Sequence, residues 1–298
     1  MAHLSFAFKT LTRLVTAQPR DCPYCGARET QLLARKKLLL ELRRCPDCLL
    51  KFRYPKEDAR SNLEFYQEEY SEGMTTEMPS DAEIARLMET NFAGSDRDLS
   101  INVGLVDRHA RKGRLLDYGC SWGYGLHQFR QAGFDAVGFE ISKPRGDFGR
   151  EKLSVEILND FKQLEALTPG SFDVIHTSHV LEHVPDLKYA LNTFRRLLAD
   201  DGVLFIFVPN AAGQQAREMG LKWGHHISEK HVSALDAEFV RRSLPEYGFS
   251  LSFSSYPHNA APRRADAQGV PQLDGIELLV IARREAEVVR LELASTGT

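Results

Sequence analysis

Leu115-Leu116-Asp117-Tyr118-Gly119-Cys120-Ser121-Trp122-Gly123-Tyr124-Gly125 decides the fold. An apolar run delivers an acidic residue, glycines punctuate the positions after it, and an amphipathic segment follows. This reads as a strand, a tight turn and a helix. A dinucleotide fingerprint would need glycine at 119, 121 and 124, but Ser121 and Tyr124 stand at two of those places. The pattern is instead Asp117, Gly119, Gly123 and Gly125. Gly119 lets the backbone approach a ligand closely, and Asp117 can order the loop and its waters. Glu140 closes the next apolar run, VGFEIS, at the place where an acidic side chain receives a ribose diol in doubly wound sheets.

Working outward, β-rich runs alternate with amphipathic stretches: RLLDYG, DAVGFEI, SVEIL, FDVIHTS, GVLFIFVPN, SLSFSSY and IELLVIA. The first five are separated by segments long enough for parallel crossovers, which predicts a doubly wound, Rossmann-like α/β sheet. The last two are joined by residues 258–275, whose Pro, Gly and Asp content suits a loop, so that pair is expected to be antiparallel. Residues 58–111 read as helical, with a loop near 71–80. The C-terminal AEVVRLELASTGT reads as a short helix or a frayed tail. The expected organisation is an N-terminal helix and cysteine module over 1–57, a helical linker or lid over 58–112, and the α/β domain over 113–298.

Cys22-Pro-Tyr-Cys25 and Cys45-Pro-Asp-Cys48 are two CxxC knuckles nineteen residues apart. Each offers two thiolates, and four complete the tetrahedral shell that Zn²⁺ accepts, a spacing in the zinc-ribbon range. Such a shell leaves no open coordination position, so the expected role is structural. Gly26 suits the turn after the first knuckle, while Leu49 holds the equivalent place after the second. Lys36, Lys37, Arg43 and Arg44 can offset the site's negative charge. Cys120 is remote in sequence and is not counted as a ligand.

The chain has 298 residues, 43% hydrophobic and 27% charged, with a formal net charge of −3. No global basic field draws it to nucleic acid or an anionic membrane. No run approaches the roughly 18 apolar residues of a membrane span. Lys9 and Arg13 interrupt the apolar N-terminus, which reads as an amphipathic helix rather than a signal peptide. A cytoplasmic protein with reduced cysteines is therefore expected.

DYGCSWGYG, Glu140, Asn159-Asp160 and FDVIHTSHVLEHVPD together resemble the successive motifs of class I S-adenosylmethionine-dependent methyltransferases, from roughly Leu115 to Ala282. The resemblance implies a seven-stranded sheet with an antiparallel last strand. It also implies that Asp117 and Gly119, in the loop that includes Gly123, line the methionine end of S-adenosylmethionine. Glu140 would bind the ribose hydroxyls, Asp160 would face the adenine amino group, and Phe161 would lie beside the ring. RRCPDC followed by FYQEEY is similar to bacterial methyltransferases with an N-terminal zinc ribbon, many of which act on sugar or secondary-metabolite precursors.

For a hydroxyl acceptor the chain must supply alignment and a base, a role that suits histidine. His179-Val-Leu-Glu182-His183 matches the HxxEH protease pattern, but it follows a sheet strand and lacks that architecture. Its three polar residues are expected on one helical face. Some quinone O-methyltransferases bind metal through ExxEH at the matching point, where His179 replaces the first Glu. The alternative has Glu182 and His183 anchoring the strand-to-helix turn by hydrogen bonds, and it is the preferred reading for Glu182. The second cluster, KWGHHISEKHV, holds Trp223, His225, His226, Glu229 and His231 and is expected to border the acceptor. His231 is the expected base, with Glu229 orienting it and His179 as runner-up. The expected acceptor is a small molecule, through a hydroxyl of a saccharide-like or secondary-metabolite intermediate. An RNA methyltransferase gripping its substrate with the ribbon, or a non-catalytic partner module that binds S-adenosylmethionine, are the alternatives. A homodimer is left open.

Overall fold

A computed structural model describes Thr10 and residues 18–36, 39–57, 77–228, 230–265 and 269–284. Most of the N-terminal amphipathic segment, Lys37, the FYQEEY block, Glu229 and the C-terminal AEVVRLELASTGT lie outside the described residues. The chain forms two compact units. The ribbon unit comprises Met1–Asn62, His179–Asn192 and Ile206–Ala282, and the glycine-loop unit Leu63–Ser178, Thr193–Phe205 and Arg283–Thr298.

In the ribbon unit, β1 (Gln31–Lys36), β2 (Leu40–Arg44) and β3 (Lys51–Tyr54) form an antiparallel meander. In the glycine-loop unit, the apolar runs form β4 (Arg114–Tyr118), β5 (Asp135–Phe139), β6 (Glu156–Leu158) and β7 (Phe172–Ser178). All of their pairings are parallel, in the order β7-β4-β5-β6. Helices Tyr124–Gln131 and Lys143–Leu153 make the crossovers between them. Leu115 and Leu116 point to opposite faces of the sheet and both are fully buried, as expected for a strand covered by helices on each side.

The remaining strands are β8 (Leu198–Pro209), β9 (Ser233–Ala234), β10 (Phe249–Ser255), β11 (Arg263–Arg264) and β12 (Glu277–Arg284). Beyond the meander, β9 pairs antiparallel with β3, extending the small sheet to the order β1-β2-β3-β9. The large sheet runs β11-β10-β12-β8-β7-β4-β5-β6, mostly parallel with antiparallel C-terminal strands. Seven of these strands are the seven apolar runs of the sequence. The eighth, β11, is a two-residue strand inside the segment expected to be loop, paired with Ser252 and Phe253 of β10.

Candidate functional site

The glycine loop leaves β4 through Gly119, whose φ of +83° favours glycine, and its N–H donates to the Phe139 carbonyl at 2.7 Å. Gly123 has φ +83° too, and a Cβ there would lie 2.8 Å from Val155 Cγ2. At Gly125 a Cβ would come within 3.0 Å of Asp117 Oδ2. The loop therefore folds tightly against the strand that delivers Asp117. That carboxylate is held from the neighbouring strand, where His176 Nδ1 lies 2.8 Å from Asp117 Oδ1. Asn102 Nδ2 lies 3.2 Å from His176 Nε2, so Asn102 donates to Nε2 and Nδ1 carries the proton given to Asp117.

Glu140, buried just past β5, gathers the rest. Its Oε2 accepts the Ser121 N–H at 3.0 Å and its Oε1 the Ser142 N–H at 2.7 Å. Burial pushes its carboxyl pKa upward against these two donors. Each oxygen keeps a further lone pair for an incoming hydroxyl. Asn159 Nδ2 donates to the Glu140 carbonyl at 2.7 Å, and Gly146 makes room for it, since a Cβ there would meet Nδ2 at 2.2 Å. Asp160 caps helix Phe161–Ala166 by accepting from Lys162 N–H at 2.8 Å, with Gln163 completing a capping box. The Phe161 ring lies 5.2 Å from that of Phe139. Asp117, Gly119, Gly123, Glu140, Asp160 and Phe161 thus all belong to one unit, and hydrogen bonds link Ser121, Glu140 and Asn159 directly.

In the ribbon unit the four cysteines converge. Cys22 Sγ lies 3.5 Å from Cys48 Sγ and Cys25 Sγ 3.4 Å from Cys45 Sγ, and all four sulfurs lie within 4.8 Å of one another. The two knuckles have the same backbone turn, because Leu49 adopts φ +68° where Gly26 adopts φ +78°. Leucine fills the glycine position at a steric cost of about 1–2 kcal/mol. Of the nearby basic residues, Arg43 holds Glu41 at 2.6 Å, and Lys36 donates to the Ile227 carbonyl at 2.8 Å.

The HxxEH stretch is not an α-helical face. His179 takes φ +54°, Leu181–His183 is a single 3₁₀ turn, and the α-helix begins at Leu187, beyond Pro185. The half-exposed His179 ring has a carboxylate at each nitrogen, with Nε2 2.7 Å from Glu277 Oε2 and Nδ1 3.5 Å from Glu182 Oε1. Glu277 in turn accepts from His258 Nε2 at 3.0 Å. Burial works against the His179 charge, but the two carboxylates outweigh it and raise its pKa to about 10. Burial likewise opposes ionisation of Glu182 and Glu277, and His179 outweighs it, holding both at about 2. The His179 contribution to stability is full below about pH 6.5 and lost as pH rises through the folded value. NMR of the His179 ring nitrogens is expected to show an imidazolium throughout the neutral range. A ring that titrates near 6.5 would contradict the pairing.

Glu182 is buried, and its Oε2 has no hydrogen-bond partner among the described residues. His183 Nε2 lies 3.8 Å from Glu182 Oε1, while His183 Nδ1 donates to the Lys230 carbonyl at 3.0 Å. His231 packs edge-on against His183 at 4.7 Å and stacks on His225 at 5.2 Å. Its Nδ1 is buried without a hydrogen-bond partner among the described residues, and burial lowers its pKa to about 4, so the ring is neutral at pH 7. Ligand atoms of Glu182, His183 and His231 lie within 4.8 Å of one another, a donor set able to hold a divalent ion. Trp223, expected beside the acceptor, is instead a core residue packed with Ala211, Ala216 and Ala234. His226 is buried with it, facing the Ala216 carbonyl at 3.3 Å. Sequence reasoning missed His176, Asn102, Glu277 and His258. A polar residue inside an apolar strand run was the available signal for His176, and one opening such a run for Glu277.

These motifs have counterparts in known proteins. A family model described as "Methyltransferase domain" matches residues 82–252. The chain belongs to that family. It is 29% identical over 152 residues to the malonyl-[acyl-carrier protein] O-methyltransferase of Serratia marcescens, covering 50% of this chain and 58% of that protein. Against the ubiquinone biosynthesis O-methyltransferase of Sinorhizobium fredii it is 29% identical over 139 residues, 42% of this chain and 56% of the relative. The chain therefore spans little more than half the length of these curated relatives. A SAM-dependent methyltransferase of Thermotoga maritima has a similar fold, with a TM-score of 0.50 at 16% identity over 68% of this chain and 96% of that one. Among the described residues no helix is long and apolar enough to cross a membrane.

Proposed function

We propose that this member of the methyltransferase family transfers the methyl group of S-adenosylmethionine to an oxygen of a small molecule, with a structural zinc ion in its ribbon. The observation that carries the reading is the linked set of Glu140, the glycine loop and Asn159, in which every backbone contact leaves the Glu140 carboxylate able to accept a diol. Asp117, Gly119 and Gly123 hold the methionine end of the donor, and Asp160 and Phe161 the adenine. The two curated relatives are both named O-methyltransferases, which supports oxygen as the acceptor atom. We take the acceptor to be a saccharide-like or secondary-metabolite hydroxyl and the setting to be the cytoplasm.

The chain's part in the reaction is alignment and proton removal. His231, neutral at its working pH, accepts the acceptor's hydroxyl proton as the new carbon–oxygen bond forms and the carbon–sulfur bond of the sulfonium breaks. An imidazolium cannot do this, which makes His179 the weaker candidate. The zinc reading rests on the sulfur geometry. Four sulfurs about 2.3 Å from a tetrahedral ion lie about 3.8 Å apart, close to the spacing found here.

A second reading is favoured by Glu182 Oε2 and His231 Nδ1, unpartnered among the described residues, which suit a divalent ion better than a lone base. One zinc per chain supports the base reading. A second metal that vanishes in His231→Asn supports the other. Salt-sensitive RNA binding would instead favour an RNA substrate.

Glu140→Ala is expected to weaken S-adenosylmethionine binding by about 1–3 kcal/mol. Gly119→Val should abolish it, because a β-branched residue cannot adopt the left-handed turn or admit the ligand. Calorimetric titration checks both, and unchanged affinity in the two variants would end the donor assignment.

A further inference from the structure

The segment that carries His231 is built onto the ribbon strands. Phe52 of β3 pairs with Ser233, and Lys51 with Ala234. The N–H of Arg53 donates to the Val232 carbonyl at 2.8 Å, next in chain to His231. The Arg53 guanidinium is fully buried, an expensive state that the protein maintains only with partners on every side. Its NH1 donates to the Ser228 carbonyl at 2.8 Å, its NH2 pairs with Glu57, and its Nε reaches the Pro55 carbonyl at 3.4 Å.

Ser228 is the other end of the turn. Its N–H donates to the His231 carbonyl at 3.2 Å, and its hydroxyl accepts the N–H groups of Lys230 at 3.2 Å and His231 at 3.0 Å. On the far side, the Val232 N–H donates to the Glu182 carbonyl at 2.9 Å, tying this turn to the 3₁₀ turn that carries Glu182 and His183. The turn from Ser228 to Val232 is thus gripped by Arg53 at both ends, once through its backbone and once through its side chain.

We infer that Arg53 is a positioning residue for His231: its buried guanidinium fixes the Ser228 turn and so sets where the His231 ring stands. The inference rests on the proposed role of His231 in proton transfer. A lysine supplies the charge at one point only, without the planar fork that reaches Ser228, Pro55 and Glu57 together, so Arg53→Lys should restore part of the function and Arg53→Gln none.

The experiment uses the full chain with Arg53→Gln, Arg53→Lys and Ser228→Ala. It reads the His231 ring nitrogen resonances, turnover, the donor's KM and zinc content. In Arg53→Gln the His231 resonances should move, kcat should fall by about 10²-fold, the effect of a roughly 1 Å misplacement, and the donor's KM should hold. Arg53→Lys should lie between that variant and the wild type. If zinc content falls, so that Arg53→Gln has lost its fold, Ser228→Ala carries the test. It removes the hydroxyl beneath His231 without disturbing a buried charge and should shift the same resonances. Wild-type His231 resonances in folded Arg53→Gln, or in Ser228→Ala where Arg53→Gln does not fold, overturn the inference. Unchanged turnover in His231→Asn would refute the base instead, while the resonances would still report on positioning.

Discussion

Stripping zinc with a chelator, or replacing Cys45 by serine, is expected to abolish methyl transfer while leaving S-adenosylmethionine binding nearly intact. A zinc ion held by the four thiolates would stabilise the folded ribbon by about 10–16 kcal/mol, as much as a whole domain's net stability of about 5–15 kcal/mol. What the ribbon holds is more than its own turns. Lys51 bridges to Asp236 at 2.9 Å, and Asp236 in turn caps helix Ala237–Ser243. Leu40 and Leu42 pack on Ile227, and Tyr24 meets Phe239 edge-on at 5.2 Å. Losing the metal should therefore release the His231 segment. The proposed donor-binding residues are linked within the glycine-loop unit, through Ser121, Glu140 and Asn159, and should persist. Metal analysis, calorimetry and turnover on one chelator series test this. Turnover that survives metal loss would reject the zinc-dependent frame. Donor binding that fails at the same chelator concentration would show that the two units unfold together.

Much of the glycine loop was legible because its determinants are local. A glycine at a left-handed turn and an acid at a strand end sit within a few residues of the strand that positions them, so the turn at Gly119 after Asp117 and the strand-end place of Glu140 could be read directly. The CxxC knuckles were legible for the same reason. The arrangement around His179 and His231 was not, because long-range pairing decides it. A two-residue strand such as β9 has no periodicity to detect, yet it docks the His231 segment onto β3. The left-handed backbone at His179 undoes the helical spacing that HxxEH suggests. That turn brings the ring to Glu277, which lies 98 positions away in sequence. Trp223 shows the converse. A tryptophan among histidines invites a binding role, but the indole is buried in a core cluster with three alanines.

His231→Asn is expected to lower turnover by about 10²–10⁴-fold, the usual contribution of a positioned general base, with donor affinity nearly unchanged. Asparagine keeps a polar side chain of similar reach but cannot accept and hold a proton near neutral pH. The burial that drives the His231 pKa to about 4 keeps the ring in its proton-accepting form, though it also makes it a weak base. A hydroxyl that acidifies on docking, or a buried carboxylate that stabilises the imidazolium as it forms, offsets that weakness. Glu182 meets the second need, being ionised, buried and packed with His183 in the same cluster. Glu182→Gln should therefore lower turnover as well, and the double variant should lose less than the sum of the two free energies, because the groups act as a unit. Strictly additive losses would show that Glu182 shapes the turn without aiding the base. Near-normal turnover in His231→Asn would point to an acceptor that needs no base, such as a carboxylate.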